Sequence, residues 1–394
     1  MMEVRSEKRE ARNKKREARI LFCIAVALTS HFSLLTSALA QDSGRVELRV
    51  ETRQFFQDNE FFGLHAVGYT LPGFYLRPMV AWRLSPQVTL EAGAHWLHFW
   101  GARNYPSGQS LDVWQRESDT ATAAHVLPWM RAEIEWKAES GKWRVTMGNL
   151  HEHTLPLPLY NPERLYAADP EAGVQVQMDH KHFGMDVWVD WREYIWQHSS
   201  RQERFTAGLS GEWRVESGKW KVKVPMHVIG QHVGGQGLAE HRAVQNHFNG
   251  AVGLLGSYGD EGWKIEGGGY LMGYTQKNAP SIPYKKGWGW YPTLSGEWKV
   301  KSGEWMVDAG YWHAHGFVPL LGNVLFSNVA YVDGITYFGM NRMINVGARY
   351  RWKATEAGSI SVEGRWYYYF EKTNPSQYSV GVFIDLAPRI ALVK

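Results

Sequence analysis

The chain of 394 residues has one cysteine, Cys23, and it lies in an apolar stretch near the N-terminus. Downstream of that stretch disulfides and cysteine metal sites are excluded. Long apolar runs are missing as well: beyond residue 40 no 18 consecutive apolar residues occur, so helical membrane spans are excluded. No GxSxG elbow is present, and "GVQVQM" and "GGGYLMGY" lack the Lys or the helix of a phosphate loop. Nor is there a strong excess of either charge. Lys and Arg number 43 against 39 Asp and Glu, and part of the net +4 sits in the basic N-terminus. Composition therefore gives no argument for a nucleic-acid partner, and no cofactor or metal is expected.

The first positive signal is the N-terminus. Met1 to Arg19 is crowded with Lys and Arg, Ile20 to Leu35 is mostly apolar, and Ala38-Leu39-Ala40 follows. A basic region, a short apolar region and an A-x-A site describe a secretory signal peptide. The expected organisation is a signal peptide over 1–40 and a single domain over 41–394. An uncleaved anchor is the alternative, although the stretch is short for a span.

Aromatic residues are abundant: 20 Trp and 19 Tyr accompany 40 Gly in a chain whose mean hydropathy is −0.38. Trp and Tyr combine an apolar body with a polar tip and suit a boundary between water and lipid. Several of the tryptophans fall in a recurring string: "IEWKAESGKWRVTM", "GEWRVESGKWKVKV" and "GEWKVKSGEWMVDA". Each reads as a hairpin whose Ser-Gly turn joins two strands of period two. From Arg204 to Val215, Phe205, Ala207, Leu209, Trp213 and Val215 alternate with Arg204, Thr206, Ser210, Glu212 and Arg214.

The same pattern, counted through, gives sixteen strands: 44–56, 75–84, 87–100, 123–137, 142–150, 171–180, 183–196, 204–215, 219–232, 246–258, 262–275, 289–300, 304–315, 340–353, 358–370 and 377–387. Short turns alternate with long loops. A soluble β-sandwich would alternate in the same way, but its strands are shorter, about 5–6 residues. Its core also gives no reason for Trp at turn after turn. The fold class expected is an all-β transmembrane antiparallel barrel with short periplasmic turns and longer extracellular loops. Trp82, Trp136, Trp143, Trp213, Trp220, Trp298, Trp305 and Trp352 would form its membrane-interface belt. Arg131, Glu133, Glu135, Arg349, Arg351, Glu363 and Arg365 would line the lumen wall.

On these features the chain resembles bacterial outer-membrane porin-like barrels, over about Gly44 to Leu386. The resemblance implies an outer-membrane location, lipid and small hydrophilic solutes as partners, and a homo-oligomer. It also implies that the third long loop, "HEHTLPLPLYNPERLYAADPE", folds inward, with Glu163, Arg164, Asp169 and Glu171 as constriction residues. One departure is the final "APRIALVK", which lacks the terminal aromatic residue of typical porins. The apolar segment Gly316 to Phe338 should pack into the barrel mouth or against a partner.

A passive channel, not an enzyme, is the function expected. A plugged barrel acting as a surface-binding protein is the alternative, and a barrel-borne lipid enzyme is the rival class. For the latter, His313 with Ser327 or His95 with Ser110 can be paired, but no motif joins them. His151-Glu-His153 offers two zinc ligands without a third.

Overall fold

The computed structural model describes residues 44–62, 66–101, 124–194, 202–234, 243–279, 282–332, 335–339, 341–371 and 375–393. The expected signal peptide lies outside them. The strands follow the alternation: β1 (Val46–Glu60), β2 (Tyr69–Arg83), β3 (Val88–Phe99), β4 (Ala124–Ala138), β5 (Gly141–Asn149), β6 (Ala172–His180), β7 (Phe183–Glu193) and β8 (Arg204–Ser217). Then come β9 (Trp220–Val233), β10 (Gln245–Gly259), β11 (Trp263–Lys277), β12 (Lys286–Val300), β13 (Gly303–His315), a small hairpin of β14 (Val329–Val332) and β15 (Ile335–Phe338), β16 (Arg342–Thr355), β17 (Gly358–Tyr369), β18 (Ser376–Leu386) and β19 (Arg389–Val393). One helical turn, α1 (Arg164–Ala167), sits between β5 and β6.

Each barrel strand pairs antiparallel with its sequence neighbour, and β1 pairs with both β2 and β18, which closes a barrel of sixteen strands. Closure leaves no unpaired edge, the condition lipid imposes on a sheet. The hairpin β14–β15 belongs to a loop and pairs only with itself. β19 resumes beyond Pro388 and pairs with Val46 to Arg49, extending the closing seam past the last barrel strand. The terminal "APRIALVK" is thus seam rather than tail.

Local turn chemistry sets the register. Gly218 adopts φ of 60°, a value glycine reaches without a Cβ penalty, and Ser217 then faces Trp220. Two boundaries differ from the sequence reading by four residues or more. β2 starts at Tyr69 rather than near residue 75, because Pro72 and Gly73 read as breakers yet lie in the ladder opposite Phe56 and Phe55. β1 likewise runs on to Glu60.

One face of every strand is apolar and outward: Leu209, Val222, Val252, Leu254, Leu271, Leu294, Val362 and Val380 are all exposed. Around the short-turn rim, Trp136 stacks on Trp143 at 6.0 Å and Trp298 on Trp305 at 6.2 Å. Trp82, Trp213, Trp220 and Trp352 are exposed at the same rim. A second collar, which the turn motif could not reveal, lies toward the long loops and includes Trp96, Trp100, Trp191, Trp288, Trp290 and Trp366. Two aromatic girdles flanking an apolar band describe a barrel seated in a bilayer, and the short-turn end is the periplasmic one in such barrels.

The lumen has two unlike halves. Toward the short turns it is wet and lined by ion pairs. Toward the long loops it is filled. The segment 316–332 folds inward, burying Phe317, Val318, Leu321, Leu325 and Phe326 against Trp312, Tyr291, Met343 and Tyr369 of the wall. Asn249 on β10 holds it by donating to the Val318 carbonyl and accepting from the Leu320 amide. The segment 150–171 also enters, and Tyr160 bridges to Leu321, so the two loops meet inside the barrel.

Candidate functional site in the barrel lumen

The wet half carries the charges expected of the lumen wall, and they are matched in pairs. Arg131 lies 3.4 Å from Glu91, Glu133 accepts Arg144 at 3.5 Å, and Glu135 accepts Lys142 at 2.9 Å. Arg349 faces Glu363 at 3.8 Å, Arg351 faces Glu304 at 3.6 Å, and Arg365 grips Asp308 at 2.6 Å. Neutralised pairs of this kind brace the wall as readily as they select ions.

The third long loop supplies the groups above that ladder. His153 is buried, with Nδ1 2.7 Å from Asp186 on β7 and Nε2 2.8 Å from Glu171. Its ring stacks on Trp188 at 3.7 Å. Trp188 in turn lies over Gly208 on β8, where a methyl group would overlap its ring. Burial alone would lower the His153 pKa, but the two carboxylates outweigh it and raise the value to about 9. The same contacts, against burial, bring Glu171 down to about 2. His153 is thus held between two carboxylates, which favour its protonated form. His151 turns instead to Glu133 at 2.6 Å, and among the described residues no group of three or more His, Cys, Asp or Glu is placed to hold a metal ion.

Of the four residues proposed for a constriction, the structure brings three together. Arg164, Asp169 and Glu171 line one cleft with Arg77 and Arg192. Glu163 is turned away and buried, accepting from Tyr69 at 2.9 Å and from Gln57 at 3.0 Å, so it anchors the loop to β1 and β2.

One hydroxyl–imidazole contact in this half escaped the sequence reading. Ser210 on β8 and His227 on β9 are register partners, both facing inward, with Oγ 3.0 Å from Nδ1. Asp186 lies directly across from Ser210 on β7, and the carbonyl of Thr154 stands 3.5 Å from the same hydroxyl. The signal was present: both residues fall on the polar face of one hairpin whose turn fixes the register. Of the pairs that were suggested, His313 with Ser327 does not form. His313 faces outward among Trp288 and Trp290, whereas Ser327 is buried inside with its hydroxyl donating to Val329. His95 accepts from Arg77 through Nδ1, and Ser110 lies outside the described residues.

A hydroxyl held by an imidazole with a carboxylate opposite is an arrangement suited to acyl transfer. It sits in a closed transmembrane barrel of the outer-membrane type, and that is the class of protein defined here. The chain belongs to the lipid A 3'-O-deacylase-type family, whose model matches residues 38–394. This membership overturns the expectation that the chain is not an enzyme. The sequence pointed the other way because it carries no contiguous catalytic motif. No curated protein matches the chain. Among solved structures, the fold is similar to in-vitro folded OmpT of Vibrio cholerae in its trimer form, at TM-score 0.50 and 10% identity over 88% of this chain and 100% of that one. It is also similar to OccK2 (OpdF) of Pseudomonas aeruginosa, at TM-score 0.49 and 8% identity over 91% and 100%. OccAB3 of Acinetobacter baumannii gives TM-score 0.48 and 9% identity over 88% and 99%. At such identities these likenesses concern the fold alone.

Proposed function

We propose that the protein is an outer-membrane acyl-ester hydrolase acting on lipid A or a related acylated lipid, with Ser210 as nucleophile and His227 as its base. The observation that carries the reading is the 3.0 Å contact between the two on the lumen side of β8 and β9. Family membership supports the reaction class. Ser210 Oγ attacks the ester carbonyl carbon while His227 Nδ1 takes its proton. Collapse of the tetrahedral intermediate expels the alcohol, which recovers that proton, and leaves an acyl-serine. Water then attacks this second ester, releasing the fatty acid and restoring the serine. Asp186, across from Ser210, is engaged by His153.

The test is fatty-acid release from lipid A in mixed micelles by the refolded barrel. Replacing Ser210 with Ala, or His227 with Gln, should lower the rate by roughly a thousandfold or more. Full activity in Ser210→Ala would sink the assignment of this pair and direct attention to the outward histidines, His232 and His313. No release by the native barrel would sink the enzyme reading itself.

A passive channel is the second reading. It is favoured by the charged, water-exposed wall toward the short turns, with Arg349 and Glu363 side chains 37% and 43% exposed. It is opposed by the filled half above, and bilayer recording decides between them.

A further inference from the structure

We propose that the cleft between β2, β4 and the inserted third loop is a binding site for a small carboxylate-bearing solute, with Arg77 as its receptor. It is separate from the Ser210–His227 pair and does not depend on it.

Among the described lumen arginines, Arg77 combines a long ion-pair distance with deep burial. Its side chain is only 13% exposed, yet the nearest carboxylate oxygen, on Glu51, stands 3.8 Å from one terminal nitrogen. Its Nε donates to His95 Nδ1 at 2.8 Å. The other arginines around it are matched more closely: Arg192 to Asp190 at 2.5 Å, Arg49 to Glu91 at 2.6 Å. Burying a guanidinium without a close counter-ion is costly, so the terminal nitrogens of Arg77 are an acceptor-seeking edge.

The surroundings shape what can meet that edge. The guanidinium lies over the ring faces of Tyr75 at 4.2 Å and Trp129 at 4.9 Å. Arg131 approaches the same Trp129 ring at 5.0 Å. With aromatic rings against its face, the group is held flat and offers its fork of N–H donors edge-on. A planar carboxylate fits that fork through two parallel hydrogen bonds. Across the cleft stand Arg164 and Arg192, with Asp169, Glu171 and Glu152. Glu171 is already engaged by His153 and Tyr160 and Arg192 by Asp190, so an anion entering the cleft meets Arg77 as the wall's under-matched cation. The aromatic floor suits a short apolar stem behind the carboxylate.

Isothermal titration of the refolded barrel in detergent tests this with three probes: butyrate, inorganic phosphate and uncharged butyramide. Butyrate is expected to bind saturably and butyramide not at all. Arg77→Gln should weaken butyrate binding by about tenfold or more, Arg77→Lys by less, and Arg351→Gln, in the ladder near the short turns, should leave it unchanged. Heat-modifiable mobility on gels verifies folding, and if Arg77→Gln does not fold, Arg77→Lys carries the comparison. Absence of saturable butyrate binding, equal binding of butyramide, or equal affinity in the folded Arg77 variants overturns the proposal. Preference for phosphate over butyrate overturns the carboxylate assignment.

Discussion

His153 joins the third loop to the wall through Asp186 and Glu171 at once, and its protonation state governs that joint. Its pKa is raised from 6.5 to about 9, so its contribution is complete below pH 6.5 and is lost as pH rises through about 9. Glu171 runs the other way. Lowered from 4.5 to about 2, it contributes above pH 4.5 and fails as pH falls through about 2. Docking of residues 150–171 should therefore be firmest between these limits, near pH 4.5–6.5. In proton–carbon NMR spectra one buried histidine should titrate near pH 9, and titration near 6.5 would refute the clamp. His153→Ala should cost docking about 3–5 kcal/mol by leaving two buried carboxylates unbalanced, measured as accelerated proteolysis within the loop. The sequence showed His151 and His153 as neighbours with metal-ligand chemistry. It could not show that β4 claims one and β6–β7 the other.

At the scale of elements, the inserted loops decide whether the barrel conducts. Segment 316–332 is held by Asn249, by Tyr369, whose hydroxyl donates to the Leu325 carbonyl at 2.8 Å, and by aromatic contacts of Trp312 with Phe317 and Phe326. The native barrel should be silent in a planar bilayer, whereas deletion of residues 317–330 should give discrete open steps. Asn249→Ala removes two buried hydrogen bonds and should produce brief, rare openings. Large steady openings of the native barrel would contradict the filled lumen. The apolar wording of "FVPLLGNVLFSNVAYV" gave the inward fold away. Its partners were harder to read, because in this half both strand faces are apolar. On β13, Trp312 points in while Tyr311 and His313 point out, and the alternation that works near the turns loses contrast.

Across the whole molecule, strand number and order were legible because lipid outside and charge inside impose opposite chemistries on alternate residues. Ser-Gly turns flanked by Trp then fix where each hairpin reverses. Ser210 and His227 were less legible, since a site formed across strands appears only once register is applied. The Trp belts make a checkable statement about seating: lipids brominated near the headgroup should quench tryptophan emission more than lipids brominated at the chain ends. Replacing both Trp298 and Trp305 with Ala should remove about 0.5–1.5 kcal/mol of ring pairing beyond lost area, read from the urea midpoint of refolded barrels. A single unfolding midpoint unchanged by that substitution would remove the stacked pair from the account of stability.

The division of the lumen into a filled half and a wet half makes the molecule a cup rather than a pipe. A solute entering from the short-turn side would then leave by the same door, and the chamber would sample one compartment only. Occupancy at Arg77 would follow the composition of the compartment on the short-turn side and stay indifferent to the medium on the other.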